Sequence, residues 1–230
     1  MPITFPPLYV ILDADLLKAH SGHTRELSFA MLMAESGVEL LQYRAKSATT
    51  RQVFETCKLL SASMAEFAAA SSRAMRFIVN DRPDIAAMVA AGGVHVGQDD
   101  LPVEQARAIV GPALVGIDRW VGVSTHNLDQ VDAADKTSAD YIAFGPVFAT
   151  TTKERPDPIV GLQLLSQARA RTRKPLVAIG GITLEQAADT YRAGADSLAV
   201  VRDIIHAADP AEQARAFLRT AAAVRGAKHV

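Results

Sequence analysis

The sequence holds a single cysteine, Cys57. One thiol excludes an intramolecular disulfide and fits a reducing compartment. It lies in an Ala/Leu-rich helical stretch, where a buried, inert thiol is expected. An excess of charge is also missing, since 24 Lys+Arg face 25 Asp+Glu for a formal net charge of −1. That balance offers no footprint for nucleic acid or an anionic membrane. No apolar run approaches the ~20 residues that cross a bilayer. The start, "MPITFPPLYV", pairs two prolines and lacks the charged opening of a signal peptide. A soluble cytoplasmic protein acting on small molecules is expected, with homo-oligomer formation left open. Two chemical signatures are missing as well. No G-x-G-x-x-G follows the first strand, and no Ser-His-Asp or Cys-His arrangement is evident.

What is present is a regular alternation. The 230 residues are 49% apolar, ample for the core of one domain spanning 1–230. Strands are predicted at 8–13, 38–44, 76–80, 93–97, 121–124, 141–145, 175–180 and 197–201. Helices are predicted at 24–36, 50–72, 84–91, 102–110, 127–137, 161–171, 183–193 and 210–224, from apolar residues three and four apart or from Ala/Leu content. Asp84 reads as the N-cap of the third of these, and Thr183 opens the seventh, which Gly194 ends. Strict alternation implies a parallel sheet. Eight β/α units without a linker imply an α/β fold of the (β/α)8 TIM barrel type, with an open doubly wound sheet as the competitor.

In such a barrel the chemistry belongs at the C-terminal ends of the strands. After the second strand, "VELLQYRAKS" places Gln42, Arg44 and Lys46 on one side, with Leu41 and Tyr43 facing the helices. The bland reading of either cation is a cross-barrel salt bridge. Two cations on one side favour an anionic ligand, with Arg44 an unpaired inward charge until that ligand binds. After the third strand, "VNDRPD" brings Asn80 inward and starts the loop with Asp81, which a mere turn would also explain. After the fourth, "VHVGQDDLP" turns His95 inward, as a core histidine or a functional one, and leaves Asp99 and Asp100 as alternatives. Asp81 and one of that pair can converge, because neighbouring strands lie ~4.8 Å apart. Two carboxylates facing two cations point to Mg²⁺ with a polyphosphate. Strand 5 delivers Ser124 and His126. Strand 6 feeds the long loop "GPVFATTTKERPDPIVG", with Lys153 and Arg155, expected to act as a lid. Gly180-Gly181 after strand 7 and the loop after strand 8 form the frequent phosphate site of these barrels.

Together "LQYRAK", "FIVNDRPDIA", "GVHVGQDDL", "GVSTHN", "DYIAFGPVFATTTK", "AIGGIT" and "AGADSLAVV" resemble the thiamine phosphate synthase (thiamine-phosphate pyrophosphorylase) family. The resemblance runs in order from residue 8 to about 205. It implies a transferase of thiamine biosynthesis that joins hydroxymethylpyrimidine diphosphate to thiazole phosphate, plain or carboxylated, and releases pyrophosphate. Carried onto this sequence, it implies that Arg44, Lys46, Asn80 and Lys153 bind the diphosphate and that Gln42 binds the aminopyrimidine. Asp81 and Asp100 would hold Mg²⁺. His95 and Ser124 would line the reaction centre, with Arg44, Lys46, Ser124 and Lys153 as the catalytic set. Thr150, Thr152, Gly181 and the backbone at Val201 would take the thiazole phosphate.

Four places depart from the family pattern. Gly92 stands where an acidic residue is usual, at the expected base of strand 4, and Ala45 where Glu is common. "IDRWVG" (117–122) reads as an insertion that would remodel the entrance to strand 5. Arg202 replaces a small residue at the second phosphate site. The alternatives are a thiazole tautomerase of the same fold, using His126 to move a proton, and a non-catalytic barrel that binds thiamine precursors.

Overall fold

The computed structural model describes residues 5–18, 25–71, 73–111, 118–150 and 157–227. Its strands are β1 (Leu8–Asp13), β2 (Leu40–Arg44), β3 (Arg76–Asn80), β4 (Gly93–Val96), β5 (Trp120–Thr125), β6 (Tyr141–Phe144), β7 (Leu176–Ile179) and β8 (Ser197–Val200). They are parallel and close in chain order, β8 returning to β1 through the pair Leu8 and Leu198. The open-sheet competitor is thereby excluded, since a closed barrel has no edge strand.

The surrounding helices are α1 (Ala14–Lys18), α2 (Arg25–Glu35), α3 (Thr50–Ser71), α4 (Pro83–Met88), α5 (Val103–Val110), α6 (Leu128–Asp135), α7 (Gly161–Arg171), α8 (Leu184–Arg192), α9 (Arg202–Ile205) and α10 (Pro210–Ala227). Strand residues of one parity, such as Leu8, Val10, Leu12, Leu41 and Val79, pack against them. Each fully buried Leu or Val contributes about 2 kcal/mol. Cys57 joins this layer as a buried thiol whose ionisation burial pushes up to about 12. Residues of the other parity, Tyr9, Ile11, Leu40, Ile78, Trp120, Tyr141 and Val177 among them, fill the barrel. Gly122 makes room for Tyr141: a Cβ there would lie 2.0 Å from Tyr141 Cζ.

Three local expectations change. The short helices α1 and α9, of five and four residues, are too brief for a periodicity to announce them. Asp84 is not the N-cap of α4. Arg82 holds that position, Pro83 fills the first turn, and the Asp84 carboxylate is taken by Arg82 Nε at 2.9 Å and Nη2 at 2.6 Å. The stretch expected to remodel the entrance to β5 in part forms the strand: Trp120, Val121 and Gly122 begin β5 at the base of the barrel, where Trp120 stacks on Phe5 at 5.0 Å. Thr183 does open α8, its backbone N–H donating to Gln186 Oε1 at 3.1 Å.

Candidate active site

At the C-terminal ends of the strands lies a cavity of 480 Å³. Gln42, Arg44, Asn80, His95, Ser124, Thr150, Gly181 and Val201, all expected at the site, line it together with Tyr9, His126, Asp157 and Arg202. Their convergence follows from register. Gln42 pairs with Ile11 and Ile78, Asn80 with His95, and Ser124 with Ala143. Inward residues at one height therefore come from successive strands.

Below the cavity a hydrogen-bonded chain crosses the barrel. Gln42 Nε2 donates to Tyr9 Oη at 2.6 Å, and Tyr9 Oη lies 2.9 Å from Tyr141 Oη. Tyr141 Oη is 3.1 Å from His95 Nδ1, and His95 Nε2 is 2.9 Å from Ser124 Oγ. Either tyrosine can donate in the middle link and the histidine roles follow its tautomer; one direction gives each group in turn a donor and an acceptor. Tyr9, already accepting from Gln42, donates to Tyr141, and Tyr141 donates to His95 Nδ1. That puts the histidine proton on Nε2, which donates to Ser124 Oγ. The serine proton is then left for the cavity. Burial raises the ionisation of both tyrosines well above the usual phenol value, so the chain runs through neutral hydroxyls.

Lys46, Asp81 and Asp100 gather beside the lining residues. The Lys46 ammonium contacts Asp81 Oδ2. Asp81 adopts φ 60°, sparsely populated for a residue with a side chain, while its backbone N–H donates to His95 O at 2.8 Å. Burial, then hydrogen bonding to Asp81, raises the Asp100 carboxyl above its ordinary value. Two carboxylates this close cannot both ionise comfortably without a cation, and Lys46 supplies one. The donor set therefore fits a divalent ion. Among the described residues no cluster of three or more His, Cys, Asp or Glu could hold a metal, so the remaining ligands would come from water or substrate.

The reading of Arg44 as an unpaired charge is overturned. Its Nη1 contacts Asp13 Oδ2, across the register pair Asp13 and Arg44 of β1 and β2. A salt bridge between neighbouring strands coexists with a place on the cavity wall. Sequence reasoning missed Asp13, Tyr9 and Tyr141, although the parity rule applied to β2 identifies all three when extended to β1 and β6. Thr152, Lys153 and the lid expectation lie outside the described residues.

The Thiamine monophosphate synthase (TMP-TENI) family model matches residues 8–204. The chain belongs to this family. It is 42% identical to a thiamine-phosphate synthase of Koribacter versatilis over 94% of this chain and 96% of the relative. It is 43% identical to one of Chloroflexus aurantiacus, over 90% and 89%. A solved thiamine phosphate pyrophosphorylase of Pyrococcus furiosus superposes with a TM-score of 0.78 at 29% identity, over 95% of this chain and 96% of that one. In this family member two departures from the family pattern form one unit. A Cβ at Gly92 would lie 2.7 Å from Arg76 Cγ, and Arg76 passes 3.8 Å over the Trp120 ring. Both sit at the base of the barrel, away from the cavity. Among the described residues, no helix is long and apolar enough to cross a membrane.

Proposed function

We propose that this member of the family is a thiamine-phosphate synthase, joining hydroxymethylpyrimidine diphosphate to thiazole phosphate with release of pyrophosphate. The observation that carries the reading is the meeting of Asp81, Asp100 and Lys46 beside a cavity lined by Arg44, Asn80 and Ser124. Anion-binding groups and a carboxylate pair are what a metal-bound diphosphate requires.

In this reading Asp81 and Asp100 would hold Mg²⁺, and that charge would lower the cost of diphosphate departure. Arg44 and Lys46 take the oxygens of the leaving group, and the Ser124 hydroxyl, oriented by His95, donates to another. Gln42 spends its N–H on Tyr9, so its carbonyl oxygen is left to accept from the pyrimidine's amino group. As the carbon–oxygen bond to diphosphate breaks, the electron pair leaves with the diphosphate. The thiazole nitrogen then closes on the resulting methylene cation. No protein nucleophile enters, because the thiazole nitrogen supplies the electron pair that replaces the one leaving with the diphosphate. Catalysis is positional and electrostatic.

The thiazole phosphate falls to Thr150, Gly181 and the backbone at Val201. Gly181, at φ 66°, brings the β7 loop so close to the β6 loop that a Cβ would sit 2.2 Å from Ala149 O. That approach favours backbone amides over side chains as the anion ligands. Incubation with both substrates and Mg²⁺ should yield pyrophosphate and thiamine phosphate in equal amounts. Isomerisation of the thiazole without either product would favour the tautomerase, and neither activity would sink both.

A further inference from the structure

The end of β1 and the first turn of α1 carry two aspartates, Asp13 and Asp15, that reach the cation segment at the end of β2. Asp13 is 1% exposed and shares inward parity with Tyr9 and Ile11. Its Oδ1 accepts the backbone N–H of Asp15 at 3.1 Å and of Leu16 at 3.2 Å, while Oδ2 takes Arg44 Nη1. Asp15 turns the other way. Its Oδ2 accepts the N–H of Lys46 at 3.1 Å and of Ser47 at 3.2 Å, and its Oδ1 accepts the Ser47 hydroxyl. Segment 44–47 is thus gripped at a guanidinium and at two consecutive backbone amides.

A buried carboxylate–guanidinium pair is poor evidence of stabilisation, because desolvation offsets most of its attraction. It does fix an orientation. Asp13 occupies one nitrogen of a five-donor fork, and Arg44 still forms part of the cavity wall. Asp15 sets the path of the backbone from which the Lys46 stem leaves. The first carboxylate aims a side chain and the second aims the chain that carries one.

We propose that Asp13 and Asp15 are positioning residues for the diphosphate, Asp13 acting through Arg44 and Asp15 through Lys46. This rests on the assignment of those two cations to the diphosphate made above. The test is steady-state kinetics on Asp13→Asn, Arg44→Met and their double variant, with inhibition by inorganic pyrophosphate as a second readout. Asparagine keeps an oxygen for the α1 amides and removes only the charge held against Arg44. Asp13→Asn should raise KM for the pyrimidine diphosphate roughly tenfold, about 1.4 kcal/mol, and leave KM for thiazole phosphate within about twofold. In the Arg44→Met background the same change should add nothing, because its route is gone. An additive effect, or a lowered melting temperature with both KM values intact, overturns the inference. If Arg44→Met itself leaves pyrophosphate inhibition unchanged, the diphosphate assignment fails and takes the inference with it. Should Asp13→Asn fail to fold, the less buried Asp15→Ala carries the test. It should weaken pyrophosphate inhibition, with thiazole phosphate KM unmoved, and an unchanged pyrophosphate constant overturns the proposal.

Discussion

The two ends of the barrel use arginine differently. At the base, Arg76 Nη1 donates to Gly92 O at 3.2 Å and to Asp118 O while its guanidinium covers Trp120. Arg107 Nη1 donates to Arg119 O at 2.6 Å while its Nη2 meets the Asp140 carboxylate, and Arg225 Nη2 donates to Asp196 O at 2.6 Å. These cations tie neighbouring loops together by donating to backbone carbonyls. At the mouth, Arg44 and Lys46 meet the carboxylates of Asp13 and Asp81, which lie beside the cavity. A carbonyl cannot be traded for a phosphate, because its peptide unit has no other donor to take. A carboxylate can share its cation with a ligand or exchange it for a metal. Arg76, whose partners are carbonyls and a ring, therefore belongs to folding, and the mouth cations to binding.

Substitutions at the two ends should separate cleanly. The largest effect is expected at the mouth. Asp81→Asn removes a charge that both Lys46 and a metal would use, and it should cut turnover at saturating Mg²⁺ at least about a hundredfold, near 3 kcal/mol. Its circular dichroism should match that of the parent. Full activity in this variant, or in excess chelator, would rule the carboxylate pair out. At the base, Arg76→Met should do the reverse. Losing the contact over Trp120 and two carbonyl partners should cost about 2 kcal/mol of stability in denaturant melts, with both KM values unchanged. A base variant that raised KM would erase the distinction between the ends.

A smaller effect should come from the chain beneath the cavity. Tyr141→Phe keeps the ring stacked on His95, whose centroid lies 5.6 Å away, and removes the hydroxyl 3.1 Å from Nδ1, the donor in the direction drawn above. The histidine is then free to carry its proton on Nδ1, and Ser124 must donate to Nε2 instead of to substrate. KM for the pyrimidine diphosphate should rise roughly threefold, or about 0.7 kcal/mol, without loss of fold. An unchanged KM would mean that Ser124 is not oriented through this route.

Parity made much of this legible before any coordinates. Gln42, Arg44, Asn80 and His95 were placed by alternation, because a strand offers only two directions. Asp13 and Asp15 were not, for a different reason in each case. Asp13 obeys the same parity, but its partner lies 31 residues away and only the register of β1 against β2 brings them together. Asp15 acts from α1, whose five residues carry no helical period, and its partners are backbone amides that no side-chain pattern marks. The salt bridge at Arg44 was weighed as a rival to ligand binding, whereas a guanidinium with five donors serves both. The pairing of Gly92 with Arg76 was hidden because a missing side chain shows its purpose only when its neighbour is seen.

The smallest effect should be one of stability, at the mouth, with a sign that depends on metal and pH. Burial first, and then the Asp81 carboxylate, raises Asp100, while the Gly97 N–H at 2.7 Å and the Lys46 charge pull the other way. An acid whose folded value lies above its ordinary 3.8 binds protons more tightly in the folded state. Its contribution to stability is therefore present below that ordinary value and is lost as pH rises through the raised one. At neutral pH the metal-free protein carries this ionised pair as a liability. Asp100→Asn should then melt slightly higher than the parent in chelator at pH 7.5, the advantage shrinking as pH falls toward the carboxylate range. With Mg²⁺ the order should invert, since only the parent gains binding energy from the ion. A variant that melts lower than the parent in chelator, at every pH, would show that the Asp100 hydrogen bond to Gly97 outweighs the repulsion and that the pair is a structural turn.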